Sequence, residues 1–153
     1  MSQHYLLETV PSARAKAKFR ELLDAVAHEH RLRLIDRYGH DAVALLEPAA
    51  IVALIDEHFE TEVIVEPDEV SVTLPQVGLI GAGPTLDAAI EDTLAKLREY
   101  TTRYLENREF YRRTDRAHEY KLLAKFAFTP TEEQRALLLQ DTPSQPEAAT
   151  AHR

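Results

Sequence analysis

Ser12-Ala-Arg-Ala-Lys-Ala-Lys-Phe-Arg-Glu-Leu-Leu-Asp-Ala-Val-Ala-His28 sets its apolar side chains, Ala15, Phe19, Leu22, Leu23 and Val26, three and four residues apart. That is the period of one helical face, and the Ser12 hydroxyl can cap the first turn, so one amphipathic helix is expected. No Gly or Pro interrupts it. Arg14, Lys16, Lys18 and Arg20 lie in its first two turns. Side chains two apart diverge by about 200° on a helix. Arg14 and Lys18 therefore share one flank of the apolar stripe, and Lys16 and Arg20 the other. Upstream, residues 5–10 form an apolar-rich strand candidate ended by Pro11, which cannot continue a ladder. Downstream, residues 32–36 and 42–46 read as short strands around Arg37-Tyr-Gly-His40, a hairpin loop in which Gly39 supplies a positive φ. Glu47-Pro48 opens a second helix, with Ile51, Val52, Leu54, Ile55 and Phe59 expected on its buried face.

The pattern changes after His58. Residues 61–66 and 70–74 read as strands joined by Pro67-Asp68, and Gly78-Leu-Ile-Gly-Ala-Gly-Pro84 reads as a turn. Thr85 can cap a long helix with Asp87 near its positive end. Leu86, Ile90, Thr93, Leu94, Leu97, Thr101, Tyr104 and Leu105 share one face of that helix. A basic junction at Arg112-Arg113 precedes a shorter helix over residues 116–126. Thr131 with Gln134 makes a capping box for a last helix through Leu139. Residues 141–153, with Pro143 and Pro146, are expected to be disordered.

The 153 residues, 44% of them hydrophobic, suit one ordinary domain or a small domain with an appendage. Without Cys there is no disulfide, thiol nucleophile or Cys-ligated zinc. The first residues lack a basic segment followed by an apolar stretch, and no apolar run nears the roughly 20 residues of a membrane span. A soluble, cytoplasmic protein is expected. The net charge is −8, yet it is unevenly spread. Residues 12–40 hold seven basic side chains (Arg14, Lys16, Lys18, Arg20, Arg31, Arg33 and Arg37) against four acids (Glu21, Asp24, Glu29 and Asp36). From Phe59 onward 17 acids outnumber 11 bases. Because fields are screened beyond about 8 Å in physiological salt, DNA responds to the local patch. A basic head on an acidic body suits two partners of opposite sign.

Enzyme chemistry finds no foothold. Gly81-Ala-Gly-Pro-Thr-Leu86 lacks the third Gly of a dinucleotide loop, and Pro84 removes an N–H that would face an anion. His28 and His30 diverge on a helix, so no metal site is expected. Asp68-Glu69 and Glu91-Asp92 are better explained by solvation and a helix dipole than by acid–base work. No cofactor and no small-molecule substrate are expected. Tyr100, Tyr104, Phe110, Tyr111 and Tyr120 gather near Arg112 and Arg113, a composition frequent in protein interfaces. In residues 107–140, Phe110, Leu122, Leu123, Phe126 and Leu137 are expected to be exposed to a partner; the alternative is that these helices fold back onto a core.

Ala15-Lys-Ala-Lys-Phe-Arg-Glu-Leu-Leu-Asp-Ala-Val26, Leu34-Ile-Asp-Arg-Tyr-Gly39 and Asp41-Ala-Val-Ala-Leu-Leu-Glu-Pro48 together resemble the Phd/YefM (prevent-host-death) antitoxins. Val63-Ile-Val-Glu-Pro-Asp-Glu-Val70, Val72-Thr-Leu-Pro-Gln-Val-Gly78 and Gly83-Pro-Thr-Leu-Asp-Ala-Ala-Ile90 resemble the HicB-like antitoxin half-fold. The resemblance implies an α+β protein. Residues 1–58 would be a β-α-β-β-α DNA-binding and dimerisation domain, 59–106 a β-β-α module, 107–140 a helical toxin-binding region and 141–153 the tail. It further implies a homodimer that represses its own operon on operator DNA and neutralises a cognate toxin, of RelE-like ribonuclease type. Arg14, Lys16, Lys18, Arg20 and Arg37 are the expected DNA contacts. Tyr104, Phe110, Tyr111, Arg112, Arg113, Tyr120, Leu123 and Phe126 are the expected toxin contacts. The alternative reading is an interaction or dimerisation module with no DNA role.

Overall fold

The computed structural model describes residues 5–140, so the expected disordered tail lies outside the described residues. The chain divides into two compact units, with the boundary between Leu54 and Ile55.

The first unit runs β1 (Thr9–Pro11), α1 (Ser12–Ala17), α2 (Phe19–Ala27), β2 (Arg33–Arg37), β3 (Asp41–Leu45) and α3 (Pro48–Leu54). β1 is shorter than expected and does include Pro11. It pairs in parallel with β2, Thr9 opposite Leu34 and Pro11 opposite Asp36. Proline is tolerated there because β1 is an edge strand, paired on one side only, where its missing N–H is not needed. β2 and β3 form the expected hairpin, from Arg33 opposite Leu45 to Arg37 opposite Asp41. In the three-residue loop at its tip Tyr38 (φ 57°) and Gly39 (φ 72°) both take a positive φ, and His40 N–H donates to the Arg37 carbonyl at 3.3 Å, the pattern of a type I′ turn over residues 37–40.

The expected single helix is bent at Lys18, whose φ of −120° and ψ of 34° leave the helical range. The hydrogen bonding persists across the bend. Lys18 N–H donates to the Arg14 carbonyl at 3.0 Å, and the Lys18 carbonyl accepts from Leu22 N–H at 3.0 Å. Ala15, Leu22, Val26 and Leu34 are the buried apolar residues of this unit among those described. The second helix ends at Leu54 and buries no residue fully. Phe59, expected on its face, is instead 2% exposed within the core of the second unit.

The second unit opens with an antiparallel meander, β4 (Glu62–Val65), β5 (Val70–Leu74) and β6 (Leu79–Gly83). The expected turn is therefore a third strand, and the module is β-β-β-α rather than β-β-α. The reason is tertiary. The long helix α4 (Leu86–Glu106) lies so close to β6 that a Cβ on Gly81 would stand 2.1 Å from Thr93 Oγ1 and 2.5 Å from Thr93 N. A Cβ on Gly83 would stand 2.6 Å from the Ala88 Cβ. These glycines serve close packing, not chain reversal.

Thr85 caps α4 as expected, its hydroxyl accepting from Ala88 N–H at 3.2 Å. Ile90, Leu94, Leu97 and Tyr104 of α4 share one core with Val70, Val72 and Leu74 of β5. The chain then folds back through α5 (Arg108–Tyr111), a 3-10 turn (Asp115–Glu119), α6 (Tyr120–Phe128) and α7 (Gln134–Leu139). Leu122, Leu123, Phe126 and Leu138 complete the same core, and the Phe126 ring meets that of Phe59 edge-on at 6.1 Å. The capping box does not form. Gln134 is buried and turns its amide inward, donating to the Phe126 and Thr129 carbonyls at 3.3 Å and accepting from Arg98 Nε at 2.9 Å.

Candidate functional site

Two surfaces answer to the sequence, one in each unit. In the first unit Arg14, Lys16, Lys18, Arg20 and Arg37 are all exposed. Arg14 and Lys18 do share a flank: with Glu8, Glu21 and Arg33 they line a shallow groove of about 140 Å³ whose floor includes Val10, Ala15 and Leu22. Lys16 and Arg20 do not line it. Arg33 was absent from the expected contacts. Its signal was the strand alternation, which sets residues 33 and 37 on the face of β2 opposite the buried Leu34. The groove is not purely cationic, since Lys18 Nζ stands 3.7 Å from Glu21 Oε2. At the hairpin tip the Arg37 guanidinium sits 5.5 Å from the Tyr38 ring centroid, and both side chains face solvent.

In the second unit the expected toxin contacts separate into two sets. Tyr104, Leu123 and Phe126 are at most 1% exposed, and their side chains belong to the core. With Leu122 also buried and Leu137 partly so, the expectation that residues 107–140 expose their apolar side chains is corrected: the helices fold back. A segment of that composition buries itself because α4 offers it an apolar face of five turns, more than three short strands can cover. Phe110, 66% exposed, is the exception, and Arg112 and Arg113 are exposed beside it. Tyr111 and Tyr120 are half-buried.

These residues frame an aromatic and arginine corner. Tyr111 stacks on Tyr104 with centroids 4.5 Å apart, and Phe110 meets Tyr111 edge-on at 5.3 Å. Arg108 lies 3.8 Å over the Tyr120 ring. Behind them a buried polar network holds the corner in place. The Tyr100 hydroxyl donates to the buried Glu119 carboxylate and accepts from Arg116 at 2.9 Å. The Tyr104 hydroxyl donates to the Arg116 carbonyl at 2.7 Å. Burial, reinforced by the Glu119 carboxylate, pushes the Tyr100 phenol up to about 12. Burial likewise raises Tyr104. Phenols so raised stay protonated at neutral pH and act as hydrogen-bonding struts, not as bases. No helix among the described residues is long and apolar enough to cross a membrane.

A family model described as PHD-like, an antitoxin of toxin-antitoxin, RelE/RelB, TA system, matches residues 6–140. No curated protein matches the chain. A crystal structure from Syntrophomonas wolfei subsp. wolfei, described as an antitoxin part of a toxin/antitoxin system, shares the mixed α+β fold. Its TM-score is 0.69 at 17% identity, over 86% of this chain and 96% of that one. The family match spans nearly all of the 153 residues, and the chain belongs to this PHD-like family of toxin–antitoxin antitoxins.

Proposed function

We propose that the chain neutralises a RelE-type ribonuclease toxin through its second unit and represses its own operon by binding DNA, as a homodimer, through its first. The observation that carries the DNA half is the set of five exposed cations, Arg14, Lys16, Lys18, Arg20 and Arg37, in a chain whose net charge is −8. Each cation that replaces a condensed counterion on a phosphate adds to affinity and to its salt dependence. Arg33 joins the set from the groove. The dimer follows from a thin core. Four buried apolar residues are few for some fifty residues, and Phe19, Leu23, Leu32 and Val43 remain largely exposed. A second copy would cover such residues and double the phosphate contacts.

The toxin half rests on family membership and on charge. Toxins that cleave RNA tend to be basic, and the second unit is the acidic part of this chain. Of the expected contacts, Phe110, Arg112 and Arg113 are available without unfolding, with the edges of Tyr111 and Tyr120.

The test is a mobility shift on the DNA upstream of the gene. The parent should shift it at low salt, with log affinity falling against log salt by a slope of a few phosphates per protomer. Replacing Lys16, Lys18 and Arg37 with Ala should abolish the shift and leave the melting temperature within a few degrees. Sedimentation at tens of micromolar should give a dimer. A triple variant that binds as well as the parent removes the DNA reading, and a folded monomer removes the dimer.

A further inference from the structure

The two edges of the β4-β5-β6 sheet are treated differently. In an antiparallel ladder alternate residues point their N–H and C=O toward a neighbour or away from it. From the register, Ile80 and Ala82 of β6 point outward. Helix α4 takes one group of each: Asp92 Oδ2 accepts from Ala82 N–H at 3.0 Å, and Lys96 Nζ donates to the Ile80 carbonyl at 2.9 Å. Asp92 and Lys96 are themselves linked at 2.8 Å. The β6 edge is thus half taken, with an ion pair laid across it.

At β4 the turn bond from Glu66 N–H to the Glu69 carbonyl (2.8 Å) sets the alternation. Glu62 and Ile64 bond toward β5, and the N–H and C=O of Val63 and Val65 point away from it. Among the described residues nothing hydrogen-bonds these outward groups. Val65 is 63% exposed and its neighbour Ile64 53%, while Val63 is half-buried with its side chain against the core, so the edge is open at its Val65 end as well as unpaired. An unpaired edge is a template for a further strand.

Charge selects the strand. Residues 56–69 contain Asp56, Glu57, Glu60, Glu62, Glu66, Asp68 and Glu69 and no Lys or Arg. Glu62 and Glu66 flank the open groups from both ends, exposed and without an ion-pair partner among the described residues. A second copy laid on this edge, in either direction, brings Glu against Glu. We propose that β4 accepts an extended, Lys- or Arg-bearing segment of the toxin as a fourth strand. The proposal deepens the antitoxin reading and rests on it.

The probe is a ten-residue peptide alternating valine and lysine, added to the full-length chain while amide exchange is followed residue by residue. Val63 and Val65 amides should exchange at least tenfold more slowly at saturating peptide, with Ala82 unchanged and a valine–glutamate peptide without effect. Val65→Pro removes an outward N–H and no bond to β5, and should abolish the protection. Glu62→Lys with Glu66→Lys leaves the backbone alone and should reverse the preference between the two peptides. Protection that ignores peptide charge, appears at β6, or survives both variants overturns the proposal. A second arm separates it from its premise: rescue of cells expressing the product of the adjacent reading frame. Rescue by Val65→Pro equal to the parent's overturns the edge and leaves the antitoxin reading standing. No rescue by the parent at equal expression overturns that reading, and the peptide result then decides the edge alone.

Discussion

Tyr38 is a large side chain at φ 57°, 80% exposed at the tip of the first hairpin. A left-handed conformation costs a non-glycine residue about 1–2 kcal/mol, and Asn bears it more easily. Tyr38→Asn should therefore stabilise the chain by about 0.5–1 kcal/mol in urea unfolding, because Asn-Gly is the favoured pair for this turn. The turn itself was legible from Gly39; the strain was not, because nothing local announces that the preceding residue shares the positive φ. Tyr100 makes the opposite case. Its hydroxyl bridges Glu119 and Arg116, a network assembled by folding that no spacing in the sequence reveals. Tyr100→Phe leaves a buried carboxylate without its donor, and should cost about 1–3 kcal/mol at neutral pH. The phenol titrates at about 12 in the folded chain, above the ordinary 10. The stability this contributes is fully present below pH 10 and is lost as pH rises toward 12. The gap in urea midpoint between parent and Tyr100→Phe should accordingly narrow between those values, and a gap that widens there contradicts the assignment.

Among elements, the amphipathic helices were the easiest to foresee, since α2 and α4 carry their apolar residues at helical spacing and a capping Thr85 opens α4. β6 was hidden for a physical reason. Gly81 and Gly83 look like turn residues until α4 is laid across them, and then they are the places where helix and strand touch. Gly81→Ala should force α4 off the sheet, because the new methyl meets helix backbone, Thr93 N at 2.5 Å and Ala89 O at 2.8 Å. The expected loss is about 1–3 kcal/mol or more, read as a lower melting temperature. An unchanged melting point would mean that the packing is looser than these distances. The last helices were misread by the same logic. Their apolar side chains indicated burial, but composition alone does not distinguish a partner's surface from the chain's own α4. Thr131 and Gln134 match a capping box in sequence, yet Gln134 is drawn inward by the Phe126 and Thr129 carbonyls.

At the scale of the whole molecule, the order of elements in the first unit followed from three local patterns, and its exposed cations were legible because charge at helix flanks needs no tertiary knowledge. The proposed partner surface was only half legible, since Tyr104, Leu123 and Phe126 had to be seen in the core before Phe110 and the β4 edge stood out. With DNA binding proposed for the first unit and toxin binding for the second, one variant should uncouple them. The direct measurement is a single culture assay in cells that express the product of the adjacent reading frame and carry the upstream promoter fused to a reporter. Parent chain should both restore growth and silence the reporter. The chain with Lys16, Lys18 and Arg37 changed to Ala, matched for expression, should restore growth to the parent's level while the reporter rises to that of cells lacking the chain. Loss of growth rescue together with repression in that variant, or repression retained in full, would contradict the division of labour.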